Sequence, residues 1–232
     1  MDRWIFYEKM FLKNISKNSN ILLISGSEKE IKILRKLGYT NFKITYHKEF
    51  NKNIENNYDL LVGKNLFDSD VRNLKFNDSE YDYVITNATL HHIDVPHIGI
   101  SEMYRVAKKG VLVIEGNDSL IMRLACKIKF SEEFEVSSVK KDKEKGGLLD
   151  TGIPNYVYRW TEREVNKLVK SIDPTNKNTI IFDYENDLNN IKSRNRLTKT
   201  IIFFAKIFFV FFKKQQNCLS IFIDKTKSKK RF

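Results

Sequence analysis

Between residues 21 and 115, short apolar runs alternate with capped helical segments, and this alternation restricts the fold more than any other feature of the chain. Residues 21–24 (Ile-Leu-Leu-Ile) read as a strand. Ser27 opens a helix, and Glu30 three residues on completes a capping box. Ile31, Leu34 and Leu37 recur at helical spacing, and Gly38 is a natural C-terminal stop. Residues 42–46 and 82–87 read as further strands; a helix over about 96–107 follows, and Gly110 leads into a β-branched run at 111–115. One more strand belongs at 60–62 or 66–69, and pattern does not choose between them. Strand–helix–strand alternation of this kind implies a parallel sheet with helices on both faces.

Beyond residue 115 the regularity fades. Asp118 is expected to cap a helix to about 128, and 131–158 reads as irregular, with Gly146, Gly147 and Pro154 as breakers. Thr161 with Glu164 forms a second capping box for a helix to about 171. A strand at 179–184, a long helix at about 191–214 and a strand at 219–223 complete the chain. The 232 residues suit one domain. It divides into a core at about 20–115, an acceptor-side insertion at 116–178, final strands with an apolar helix at 179–224 and a basic tail at 225–232.

The run 201–212 is apolar except for Lys206. As a helix it is about 20 Å long, short of the roughly 30 Å core of a bilayer. It is expected to pack on the domain between the last two strands, with at most one edge in weak contact with a membrane surface through 201–214.

The net charge of +12 is spread along the chain, and only the tail forms a run. A drift toward Lys, Asn and Ile explains such dispersion better than a nucleic-acid footprint, so no nucleic-acid partner is expected. Cys126 and Cys218 show no pairing or metal spacing, which fits a reducing, cytoplasmic setting. Asp2, Arg3, Glu8 and Lys9 interrupt the first apolar residues, so no signal-peptide core is expected there.

In open parallel sheets ligands bind at the carboxyl ends of the strands, which directs attention to the turn Ser25-Gly26-Ser27. Far more specific is residues 81–92, Tyr-Asp-Tyr-Val-Ile-Thr-Asn-Ala-Thr-Leu-His-His. Together with residues 102–115, Glu-Met-Tyr-Arg-Val-Ala-Lys-Lys-Gly-Val-Leu-Val-Ile-Glu, it resembles the class I S-adenosylmethionine-dependent methyltransferases. Residues 70–78, from Asp70-Val71 to Asp78, look like that family's segment whose acid faces the adenine amino group. Residues 154–164, Pro-Asn-Tyr-Val-Tyr-Arg-Trp-Thr-Glu-Arg-Glu, are similar to a subgroup associated with cell-surface glycan gene clusters. The resemblance covers roughly 20–224.

The resemblance implies a Rossmann-like, mostly parallel α/β sheet with an antiparallel last strand, and S-adenosylmethionine as cofactor. It places Ser25, Gly26, Ser27, Asp70, Val71 and Asn87 around the cofactor. The ribose acid is missing from its usual place, where Tyr46-His47-Lys48 stands; Glu49, one step late, is the substitute. The first loop also carries serines at 25 and 27 where the family has glycines. His92 is the expected base for an acceptor hydroxyl, and Glu115 a carboxylate that takes a proton or fixes the acceptor. His91, Arg159 and Trp160 are expected to bind the acceptor, with Trp160 stacked on a sugar ring. His91, His92 and His97 lack a fourth ligand, so no metal is expected. The implied reaction is methyl transfer to a small-molecule or glycan acceptor, most simply O-methylation of a sugar precursor in polysaccharide biosynthesis. The rival reading, prompted by Ser25, Ser27 and Lys48, is a catalytically degenerate relative acting as a binding or assembly subunit.

Overall fold

The computed structural model describes residues 3–46, 65–136, 139, 147–148, 151–175, 179–186 and 196–226. Its eight strands are β1 (Ile21–Ile24), β2 (Phe42–Tyr46), β3 (Leu66–Asp68), β4 (Tyr81–Asn87), β5 (Ala107–Asn117), β6 (Arg159–Trp160), β7 (Thr179–Glu185) and β8 (Cys218–Asp224). They form one sheet in the order β3-β2-β1-β4-β5-β8-β7, with β6 added beside the end of β5. From β3 to β5 every pairing is parallel, while β8 runs antiparallel between β5 and β7. The expected antiparallel last strand is therefore present, and β7 and β8 satisfy each other's backbone groups. Of the two alternatives for the third strand, the one near 66–69 forms; 60–62 and Gly146 lie outside the described residues.

Strand alternation sorts the core into two layers. Ile21 and Leu23 face a cluster with Phe6, Tyr7, Met10 and Phe11 of helix α1 (Arg3–Asn14) and Ile31 and Leu34 of α2 (Glu28–Lys36). Leu22 and Ile24 face the other side, with Ile100 and Met103 of α3 (Pro96–Val106) and Val165 and Val169 of α5 (Glu162–Ile172). Between these two helices in sequence comes α4 (Leu120–Lys127), which buries none of its residues. The Ser27–Glu30 capping box forms as expected. Two other caps differ. Ser119, not Asp118, caps α4, because the Asp118 carboxylate is drawn to Arg123 at 2.8 Å. Thr161 caps α5, but Glu164 does not reciprocate; its carboxylate accepts from Tyr158 Oη and pairs with His97 Nε2.

The apolar segment is helix α6 (Arg196–Phe211), ending in a 3₁₀ turn at Lys213–Gln215. The expectation that it packs on several sides is corrected. Phe209 is buried, whereas Phe203, Phe204, Val210 and Phe211 are 61–78% exposed. Among the described residues, Phe209 faces the domain, its carbonyl accepting from buried Gln216, while most of the other described side chains stand in solvent. Among the described residues no helix is long and apolar enough to cross a membrane.

Gly110 marks where β8 comes closest to β5. A Cβ there would meet the Phe222 ring at 2.9 Å and the Ile223 carbonyl at 3.0 Å. Gly110→Ala is expected to lower unfolding free energy by about 1–3 kcal/mol, the usual cost of overpacking. Urea denaturation measures it, and an unchanged midpoint would show that Phe222 simply swings aside.

Candidate active site

The strand order reverses between β1 and β4, so a crevice opens at their carboxyl ends. Ile24 of β1 lies level with Thr45 of β2 and Thr86 of β4, which brings Ser25, Gly26 and Asn87 to one height. Two sharp turns leave this level. Ser25 has φ of 51° and Ala88 φ of 52°, both in the left-handed region where a side chain is unfavourable. Gly26 is needed for space: a Cβ would sit 3.1 Å from Leu23 Cβ.

Below the first turn lies a network the sequence shows only in part. The Glu30 carboxylate accepts from Ser27 N and Oγ, both at 2.7 Å, with the Asn87 amide nearby. Arg3 donates from Nε to Asn87 Oδ1 at 3.3 Å. Burial raises the Glu30 carboxyl above its usual range, with Ser27, Arg3 and Asn87 opposing. Arg3 was not anticipated, because α1 lies outside the alternating region. Its signal was the spacing of Phe6, Tyr7, Met10 and Phe11, which marks one apolar helix face.

Asp70 and Val71 follow β3 on the same side of the sheet. Val71 is buried, and the Asp70 carboxylate accepts from Arg72 Nε and Nη2 at 2.9 and 2.6 Å. Lys48 and Glu49 lie outside the described residues.

The second half of the site lies at the end of β5. Glu115 is 1% exposed. Its Oε1 accepts from Thr89 N and Leu90 N, both at 2.8 Å, and its Oε2 lies 2.8 Å from His91 Nδ1. Burial alone would raise this carboxyl, but His91, Arg3 and the Leu90 N–H hold it below the usual range. Burial likewise opposes charge on His91, and Glu115 outweighs it, so that imidazole is raised; burial and His91 lower His92. Both oxygens of Glu115 are thus engaged under the Leu90–His92 turn.

Above this turn opens a cavity of about 560 Å³ lined by Arg3, His91, Glu115, Glu132, Glu135 and Arg159, among others. Arg159 reaches it with its guanidinium bound to Glu132 O at 2.7 Å and Ser131 Oγ at 3.3 Å. Trp160 is corrected: it is fully buried between His97 and Tyr158, each 5.0 Å away by ring centroid, because β6 turns it into the core. It cannot stack on an acceptor. His97 also leaves the histidine group, pairing with Glu164 at 2.8 Å.

For an adenosine cofactor with an amino-acid end, the described part of the crevice fits. The turn after β1 is small, Asn87 and Asp70 supply polar atoms at strand ends, and Arg3 is a cation within reach of a carboxylate.

Residues 23–114 match a family described as a methyltransferase domain. No curated protein matches the chain in sequence. Solved structures share its fold at low identity. An S-adenosylmethionine-dependent methyltransferase from Archaeoglobus fulgidus is 12% identical, with a TM-score of 0.54, covering 95% of this chain and 94% of its own. A second, from Thermotoga maritima, is also 12% identical, with a TM-score of 0.52 and coverage of 97% and 94%. Magnesium protoporphyrin IX methyltransferase from Synechocystis, solved with bound S-adenosylhomocysteine, is 10% identical, with a TM-score of 0.53 and coverage of 94% and 80%. The chain therefore shares the Rossmann-like fold of these methyltransferases, and the match over residues 23–114 supports S-adenosylmethionine as the cofactor.

Proposed function

We propose that the protein transfers the methyl group of S-adenosylmethionine to a hydroxyl of a polar small molecule, of the sugar or glycan-precursor class. The observation that carries this is the polar cavity beside the Asn87–His92 turn, adjoining the crevice at the ends of β1 and β4. The cofactor supplies a methyl group on a positively charged sulfur. Ser25, Gly26 and Ser27 leave room for it, Asp70 and Val71 stand on its adenine side, and Arg3 pairs with its carboxylate. In the cavity, Arg159 holds an anionic or hydroxylated part of the acceptor. The His91–His92 turn, braced by Glu115, sets the reacting hydroxyl in line with the methyl group. Holding two reactants this way supplies most of the acceleration such a transfer needs. In the metal-free turn the acceptor's proton is assigned to His92.

The exposed face of α6 adds a place for this chemistry. Phe203, Phe204, Val210 and Phe211 stand in solvent with Lys206 and Lys213 among them. Leu120, Leu124 and Ile128 of α4 and the loop residue Phe130 are exposed as well. Aromatic and apolar side chains interleaved with lysines suit the headgroup boundary of an anionic bilayer, so the enzyme works in peripheral contact with a membrane.

Calorimetry with S-adenosylhomocysteine tests the central reading. One molecule is expected to bind per chain, and no binding would favour the degenerate alternative. Arg3→Ala is expected to weaken that binding by about 1.5–3 kcal/mol, the scale of a hydrogen bond to a charged group. An unchanged affinity would confine Arg3 to supporting Asn87.

Ser25→Gly is expected to stabilise the fold by about 0.5–1 kcal/mol. Relief of a left-handed serine, about 1–2 kcal/mol, exceeds the extra unfolded-chain entropy of glycine, about 0.5–1 kcal/mol. A lower melting temperature for Ser25→Gly would contradict this. The protein is also expected to sediment with anionic lipid vesicles and to lose that association in a Phe204→Asp, Phe211→Asp double variant. Equal sedimentation of both would remove α6 from the contact.

A further inference from the structure

His91 and His92 are adjacent in one turn, with ring centroids 4.3 Å apart. The turn is held from below by Glu115 and from the side by buried Asn155, whose Nδ2 donates to His91 O at 2.9 Å. The same Asn155 accepts from Glu135 N at 2.9 Å through its own carbonyl, and Val157 N donates to Glu133 O at 2.9 Å. Phe134 and Tyr156 bridge these two segments. Glu135 is therefore delivered over the histidines by a braced backbone, not by chance of a side-chain rotamer. Its Oε2 lies 3.9 Å from His92 Nδ1 and 4.0 Å from His91 Nε2, and the three side chains offer ligand atoms all within 4.8 Å of one another.

The chemistry of these atoms asks for a cation. The Glu115 carboxylate accepts the Nδ1–H of His91, so in the neutral ring, the form that binds a metal ion, Nε2 carries its lone pair outward. That lone pair faces another acceptor, the Glu135 oxygen, across a gap too long for a hydrogen bond. Glu135 Oε2 is shielded from solvent and has no hydrogen-bond partner among the described residues. Two imidazoles and a carboxylate are a common ligand set for zinc and its neighbours. Ligand atoms around such an ion are about 3.4 Å apart at the tetrahedral angle, so the Glu135 oxygen must draw in by roughly half an ångström toward each ring, and the two ring nitrogens, within 4.8 Å of each other, by up to roughly 1.4 Å. Glu115 behind His91 repeats the carboxylate–histidine–metal arrangement that fixes ring orientation at metal centres.

We propose that His91, His92 and Glu135 bind one divalent cation of the zinc class at the floor of the acceptor cavity. His97, which in sequence looks like the third ligand, is replaced by Glu135. Three protein ligands leave coordination positions open toward the cavity, where an acceptor oxygen can be held and oriented. That role rests on the methyltransferase reading; the binding of the ion does not.

The test uses the untagged full-length chain, stripped with a chelator, then titrated with zinc chloride alone and, separately, with manganese chloride. One zinc per chain is expected, bound more tightly than manganese. Glu135→Gln and His92→Ala are each expected to weaken zinc binding at least tenfold, and Glu115→Gln by about 10–100-fold as an outer partner, while His97→Ala leaves it unchanged. Circular dichroism of each variant reports whether it is folded. No zinc uptake by the wild type, or equal affinity in folded Glu135→Gln and His92→Ala, overturns the site. Binding of S-adenosylhomocysteine to the stripped protein is measured in parallel. Zinc uptake without it would sink the methyltransferase reading and leave the ion site standing; cofactor binding without zinc would do the reverse.

Discussion

A buried carboxylate near the end of β5 organises the strand ends around the cavity. Glu115 is nearly inaccessible, and an unpaired carboxylate in that position would be expensive. Three donors from one turn compensate it: the backbone N–H groups of Thr89 and Leu90 and the ring of His91. Because all three follow β4 while Glu115 ends β5, the ion contact locks two adjacent strand ends together. Removing one partner from such a buried pair typically costs about 3–5 kcal/mol, since the remaining charge is stranded. The turn's direction, the exposure of His92 and the floor of the cavity all follow from this one contact.

What was legible in the sequence was what is local. The Ser27–Glu30 cap, the strands at 21–24 and 42–46 and the pairing of the last two strands come from short-range pattern and from the need to satisfy backbone groups. The motif at 81–92 marked the turn after β4 because its residues are contiguous. Glu135 was not legible: it comes from a stretch without periodicity, and the backbone pairing of 133–135 with 155–157 carries it to the histidines. Trp160 was misplaced because an aromatic beside an arginine reads equally well as a platform or as core; the pairing of β6 with β5 decides for core. The same ambiguity affected α6, whose apolar run has no feature telling a buried helix from one left uncovered.

Arg3 shows a further limit. Nothing in its neighbourhood marks it as functional, and it arrives at the site only because α1 packs its aromatic face on the sheet. Its guanidinium sits beside Asn87, which in turn touches Glu30 under the first loop. The first loop and the β4 turn are thus coupled through side chains that each look like routine capping or packing residues when read singly. A serine held at positive φ at position 25 is tolerable in this setting, because the network around Ser27 and Glu30 constrains the loop.

The topology gives one stretch of chain a bridging place. On one side of β4 lie the ends of β1, β2 and β3, with small and polar residues; on the other lie β5 and β6, whose residues Glu115, Gly116 and Arg159 line the cavity. The segment from Asn87 to His92, together with Arg3, touches both sides. Under the proposed function, a methyl group carried on the first side and an acceptor held on the second meet across that turn. The donors that stiffen it come from both sides as well, Arg3 at Asn87 and Asn155 at His91. Rigidity at that single crossing is worth more than tight contacts elsewhere, since a displacement of about 1 Å between reacting groups can cost 100-fold in rate.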